Sequence, residues 1–318
     1  MISRSVSFFQ NETYILMPDG AWKMLPLPLE SELIDLSHGQ MLFTVKKDAT
    51  AFGKHKVKTG ALYAFDIFAW RENPAKDIAI EKVFEPNSKQ AFQGVSVTRE
   101  KTLISYLDRV RGRLAELSRK APRKTGGAGT WSLSAVSLPG NEGALSMGFT
   151  DYREALFTLY YSDFLTPSEM YLGGRPRLVR LRETPARFDA SGMKVETREA
   201  KSRDGTKVPY FLIAPKGMKH DGRTPTLIYA YGGFEIPTTP SYMSVMGKVW
   251  VERGGAYVIA NIRGGGEFGP RWHQAALREK RQHAFDDLYA VGEDLIRRKI
   301  TSRAHLGVRG GSNGGLLT

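Results

Sequence analysis

The residues best suited to chemistry lie in "GVRGGSNGGLLT", Gly307 to Thr318. Within it, Gly310-Gly311-Ser312-Asn313-Gly314 has G-x-S-x-G spacing, directly after an apolar stretch that reads as a strand. To stand clear of a sheet, a serine hydroxyl must occupy a sharp strand-to-helix corner, at a strain of ~1–3 kcal/mol. Side chains two positions before and after the serine would collide across that corner, so Gly310 and Gly314 are glycines. The backbone N–H after the serine then points at a developing oxyanion, from a helix start that favours negative charge. The chemistry is nucleophilic attack on a carbonyl. A glycine-rich structural turn is the competing reading of these five residues taken alone.

Such a serine needs a base, and in the usual strand-turn-helix hydrolase order the acid and the histidine follow the serine. His305 begins the strand that leads to the corner, so at ~3.3 Å per residue it lies roughly 20 Å away. His273 and His283 flank the preceding loop and helix, and neither is a convincing base. Asp286 and Asp287 sit where a helix start favours acids and read as caps. The six histidines make no HExxH-like spacing and the chain has no cysteine, so no metal and no cofactor is called for.

The 318 residues allow two domains, with 41% hydrophobic and 25% charged residues as in globular proteins. No apolar run approaches the roughly 18 residues of a membrane helix. The start, "MISRSVSFFQNETYILM", has too short an apolar core for a secretory signal. The expected location is the cytoplasm, unless a true N-terminus lies upstream. The net charge of +13 invites a nucleic-acid reading. The basic stretches, such as "RVRGRLAELSRKAPRK", lack interleaved aromatics and any DNA-reading motif. They read as solvated surface, with neither nucleic acid nor membrane as partner.

Up to about residue 188 the chain alternates short β-type runs with turns, as in "TYILM", "QMLFTV", "GALYAFDIFAW" and "EALFTLYYSDF". This predicts a partial β-propeller over 1–188, with room for roughly four blades at about 45 residues each. "RKTGGAGT" (Arg123 to Thr130) reads as a loop. From 189 to 318 the character is α/β. A hairpin turns at Asp204-Gly205. The strands "TLIYAY", "AYVIAN" and "HLGVRG" alternate with helices, predicting a doubly wound parallel sheet covered on both faces. One helix would place Tyr242, Met246, Val249 and Trp250 on one side, and another would bury Leu288, Val291 and Leu295.

Four blocks in order, "YAYGGFEIPTTPSY", "ANIRGGGEFGPRWH", "FDDLYAVGEDLI" and "GGSNGGLL", resemble the prolyl oligopeptidase family of serine peptidases. "FLTPSEMY" is similar to that family's exit from its propeller. The resemblance implies an α/β-hydrolase domain capped by a seven-bladed propeller that admits short peptides. It implies Ser312 as nucleophile, the Asn313 N–H and the Tyr231 hydroxyl as oxyanion donors, and Phe234 in the substrate pocket. It implies a structural use for Gly264-Gly265-Gly266 in place of a phosphate cradle. Asn313, where the oligopeptidase B branch has alanine, favours cleavage after proline. Seven blades need roughly 300 residues, so the chain reads as the middle of a longer protein, with a hydrolase sheet truncated just after the elbow. Its aspartate and histidine are expected beyond Thr318, and the chain alone is expected to be almost inactive. An esterase or acyl-peptide hydrolase on the same fold stays open, as does a propeller-based binding protein with a dead hydrolase half.

Overall fold

The computed structural model describes residues 1–122 and 127–318, so Arg123 to Gly126 of the expected loop lie outside the described residues. The first part of the chain forms antiparallel sheets from strands close together in sequence. β1 (Ile2–Ser7), β2 (Gln10–Leu16) and β3 (Trp22–Met24) make a three-stranded sheet. β4 (Ser31–Ser37) and β5 (Gln40–Val45) are followed by a separate hairpin, β6 (Ala49–Ala51) and β7 (His55–Val57). β8 (Leu62–Phe65), helix α1 (Ile67–Glu72) and β9 (Ile80–Phe84) come next, and β4-β5-β8-β9 is a four-stranded sheet. A second comprises β10 (Gln90–Val97), β11 (Thr102–Asp108), β12 (Arg111–Lys120) and β13 (Thr130–Ala135). A third comprises β14 (Ala144–Thr150), β15 (Phe157–Ser162), β16 (Glu169–Gly173) and β17 (Val179–Glu183).

These sheets stack on one another. On β5, Phe43 belongs to a core with Val57, Phe65 and Trp70, while neighbouring Leu42 belongs to another with Val83, Ile104 and Leu117. A two-residue side-chain period thus feeds two cores from one strand. Two expectations need correction. "GALYAFDIFAW" is a strand only to Phe65, because the Asp66 carboxylate accepts the Ala69 N–H at 2.9 Å and caps α1. "FLTPSEMY" is no exit: it lies across the β15–β16 hairpin, with β17 still to follow.

The second part begins with β18 (Met193–Lys201) and β19 (Lys207–Pro215), paired antiparallel around Asp204-Gly205. Then come β20 (Thr226–Ala230), helix α2 (Ser244–Met246) running into a π-helical turn over Gly247–Val251, and β21 (Ala256–Ala260). They are followed by α3 (Pro270–Gln274), α4 (Gln282–Arg297), β22 (Leu306–Arg309) and α5 (Asn313–Leu317). The sheet order is β18-β19-β21-β20-β22. β20 is parallel to both β21 and β22, but β19 meets β21 antiparallel. The sheet is therefore mixed, not wholly parallel, because the hairpin extends it. The π-turn replaces the expected regular helix; its wider winding leaves Val249 exposed and buries Val251 in its place.

Both faces of the sheet are covered. On β19, Tyr210 and Leu212 face Leu288, Val291 and Leu295 of α4, the stripe expected from the sequence. Phe211 and Ile213 face Phe164, Phe188 and Val251. Val110, from the β11–β12 turn, joins this second layer and is 1% exposed. Arg109 and Val110 take φ of 49° and 67°, the mark of a tight hairpin turn. A β-branched residue there is strained by ~1–3 kcal/mol. Burying a valine side chain returns a similar ~1.5–3 kcal/mol. The plug of Val110 seats the antiparallel sheets on the mixed one.

Candidate active site

β20 connects to β21 on one side and has β22 on the other, so strand order reverses at β20. Ligands of such sheets bind outside the carboxyl ends at this reversal. The residues just past those ends are Tyr231, after β20, and the corner Gly310–Ser312, after β22. Register pairs Tyr229 with Arg309, which brings the two segments side by side.

Ser312 stands at φ 51° and ψ −117°, precedes the first residue of α5 and makes no side-chain cap bond. It is exposed to solvent. This is the strained corner expected from the glycine spacing, with the hydroxyl presented outward. The glycines divide the steric burden unequally. A Cβ on Gly310 would overlap the carbonyl oxygen of Gly314, whereas a Cβ on Gly314 would overlap that of Ala230 on β20. One glycine allows the turn, and the other lets α5 lie against the neighbouring strand.

Asn313 is held by its side chain: Nδ2 donates to the Tyr231 carbonyl at 2.6 Å. Tyr231 is half-buried and lines a cleft of about 560 Å³ with Ile236, Pro237, Tyr242, Met243 and Met246. Phe234 lies on the other side of this loop, 49% exposed. Its ring meets Phe8 edge-on at 5.6 Å. Phe234 and Asn313 share a smaller cleft of about 260 Å³ with Phe8, Phe9, His273 and Arg281. Ser312, Asn313, Tyr231 and Phe234 are thus gathered at one edge of the sheet.

The Gly264-Gly265-Gly266 run is packed backbone against backbone. A Cβ on Gly264 would overlap the Gly232 carbonyl, and one on Gly266 the Glu235 carbonyl. It wedges the loop that carries Tyr231 and Phe234. Behind it, Arg263 donates to Asp287 through its backbone N–H (2.9 Å), Nε (2.9 Å) and Nη2 (2.6 Å). It also reaches Asp204 in the β18–β19 turn at 2.5 Å. Burial works against the guanidinium charge, but these hydrogen bonds outweigh it and raise the Arg263 pKa. The same guanidinium holds the Asp204 carboxyl well below its usual range. Asp286 and Asp287 are therefore not caps: α4 starts at Gln282, a full turn earlier, and Asp287 is fully buried in this ion pair. Reading the sequence does not find this pairing: an arginine three residues past the buried strand β21, as in "ANIRGG", signals that an acidic partner is needed but not which one.

Glu267 was also missed. It is 1% exposed and accepts from the Thr238 N–H at 2.8 Å and from Asn261 Nδ2 at 3.4 Å. Burial pushes its carboxyl up to about 7, the hydrogen bonds only partly opposing this. Among the described residues no histidine is hydrogen-bonded to Ser312. His273 Nδ1 lies 2.6 Å from the Gly264 carbonyl, His283 Nδ1 lies 2.8 Å from that of Ala275, and His305 sits before β22, near Ser302. No cluster of three or more His, Asp or Glu residues suited to a metal is found among the described residues. No helix among them is long and apolar enough to cross a membrane.

A sheet with its order reversed at β20, and a strained serine corner at that reversal, define the class as an α/β-hydrolase-type domain joined to antiparallel sheets. The sequence model of the prolyl oligopeptidase family matches residues 241–318. An uncharacterized peptidase of Sinorhizobium fredii is 41% identical over 99% of this chain and 43% of its own length. The prolyl endopeptidase of Elizabethkingia meningoseptica is 36% identical over 58% of the chain and 26% of its own length. The solved structure of a post-proline cleaving enzyme from Rickettsia typhi matches with a TM-score of 0.88 at 32% identity, over 99% of this chain and 45% of that one. The chain belongs to the prolyl oligopeptidase family. It spans less than half the length of the first curated relatives it matches, 43% in the case of the S. fredii peptidase.

Proposed function

We propose that the intact protein is a serine peptidase that cleaves short peptides, after proline, through an acyl-enzyme on Ser312. The observation that carries this reading is the exposed Ser312 at φ 51°. Its Oγ adds to the scissile carbonyl carbon and gives up its proton to a base. The C–N bond breaks, the amine leaves protonated, and water then releases the acyl group. Negative charge on the carbonyl oxygen is met by the Asn313 N–H and the Tyr231 hydroxyl, a donor that needs no deprotonation. Phe234 lines the pocket for the residue before the cleaved bond. Residues 1–188 are taken as part of a propeller that excludes folded proteins, and 189–318 as the hydrolase portion. The matches to a prolyl endopeptidase and a post-proline cleaving enzyme support the substrate class.

The test compares acyl-prolyl anilides with simple acyl esters on the intact protein. A preference for the prolyl amide is expected, and exclusive ester cleavage would replace the peptidase reading with an esterase. The 318-residue chain alone, with no histidine bonded to Ser312 among the described residues, is expected to keep at most the ~10³–10⁴-fold over water that binding and oxyanion donors give. Rapid turnover by that chain would overturn this part of the proposal.

A further inference from the structure

Phe234 and Glu235 sit back to back in the left-handed region, at φ 53° and 57°. Neither is glycine, so their surroundings must hold them there. A turn bond from the Ile236 N–H to the Gly233 carbonyl, at 3.0 Å, closes over both residues, while the Glu235 N–H itself is held weakly. His273 Nδ1 lies 2.6 Å from the Gly264 carbonyl and 3.1 Å from the Glu235 nitrogen. A nitrogen that donates to the first cannot accept from the second. With its proton directed at Gly264, the Glu235 N–H is left with the same carbonyl at 3.4 Å, a long bond.

The Glu235 carboxylate is better served. It accepts from Lys46 Nζ at 3.0 Å, with side chains only 14% and 25% exposed. Lys46 directly follows β5, on the antiparallel part of the molecule, and its own backbone is pinned from both sides. Its N–H donates to the Glu30 carbonyl at 2.8 Å, and its carbonyl accepts from Gln274 Nε2 of α3 at 2.6 Å. A nearby pair across the same seam, Arg271 with Asp48 at 2.9 Å, is 67% and 63% exposed. Water and salt screen that pair far more than the half-buried one.

We propose that Lys46 is a positioning residue for the substrate pocket: by binding Glu235 across the seam between the two parts of the molecule, it fixes the loop that presents Phe234. The role of Phe234 rests on the function proposed above. The placement of the loop does not.

Amide hydrogen exchange of the peptide spanning residues 231–240, measured on the intact protein, tests the coupling without turnover, so a catalytically silent protein would still give an answer. Lys46→Met is expected to speed exchange there about fivefold, in line with couplings measured for groups in direct contact. The exchanged pair Lys46→Glu with Glu235→Lys is expected to return it towards wild type, while Arg271→Met leaves it unchanged. Unaltered exchange in Lys46→Met, no recovery in the double variant, or an equal effect of Arg271→Met would each overturn the proposal. On prolyl substrates the same Lys46→Met variant is expected to raise KM more than it lowers kcat. Catalysis without that split would remove Lys46 from the pocket.

Discussion

Asn313 Nδ2 donates to the main-chain carbonyl of Tyr231 at 2.6 Å, joining two residues 82 positions apart in the chain. The bond fastens the corner after β22 to the loop after β20. Both proposed oxyanion donors therefore belong to segments that hold each other, and neither depends on a free loop for its position.

Removing one donor and removing the tie that positions the other should have different effects. Tyr231→Phe keeps the ring and loses the hydroxyl, so kcat on a prolyl anilide is expected to fall about 10²–10³-fold with KM little changed. Asn313→Ala keeps the backbone N–H and loses only the tie, so a fall of about tenfold is expected. Steady-state kinetics of the two variants check this. A Tyr231→Phe enzyme altered only in KM would deny the hydroxyl a role in the transition state.

The ion pair behind the glycine run should matter for stability. Asp287→Ala leaves Arg263 buried without its main partner and is expected to cost about 3–5 kcal/mol. Asp286→Ala removes only a bond from Gln282 at 3.0 Å and is expected to cost about 0.5 kcal/mol or less. Urea unfolding of both variants makes the comparison, and equal losses would mean the two acids act alike, as helix caps would.

Glu267 gives the fold a pH dependence. Its folded pKa, about 7, is raised above its ordinary 4.5, so the folded state keeps a proton that the unfolded chain has lost. The stabilisation is complete below about 4.5 and is lost as pH rises to about 7, by about 3 kcal/mol in all. Glu267→Gln, neutral at every pH, is expected to abolish this trend and to gain on the wild type between pH 5 and pH 8. Unfolding free energies at those two values measure it. A wild type that gained on the variant as pH rose would contradict a buried neutral carboxyl.

Much of the fold was legible because it is written locally. The β18–β19 hairpin turns on Asp204-Gly205, with Gly205 at φ 89°. The Leu288, Val291 and Leu295 stripe faces the sheet as its spacing required, and the serine corner follows from two glycines. Helix α1 was missed because its six residues are too few to show a period; only the Asp66 cap marks it. The start of α4 was placed too late because its first turn, at Gln282, His283 and Ala284, has neither a capping side chain nor an apolar stripe. The pairs Arg263–Asp287 and Lys46–Glu235 span 24 and 189 residues. No spacing rule reports a contact made by the tertiary fold, so these ion pairs could be seen only once the strands were in place.

The central assignment is that Ser312 is the nucleophile. Its most direct test is to treat the intact protein with a fluorophosphonate and locate the adduct by peptide mass spectrometry, beside Ser312→Ala. The predicted result is a single adduct on Ser312, formed in step with loss of prolyl-peptide cleavage and absent from the variant. A protein that cleaves prolyl peptides while Ser312 stays unmodified would contradict it.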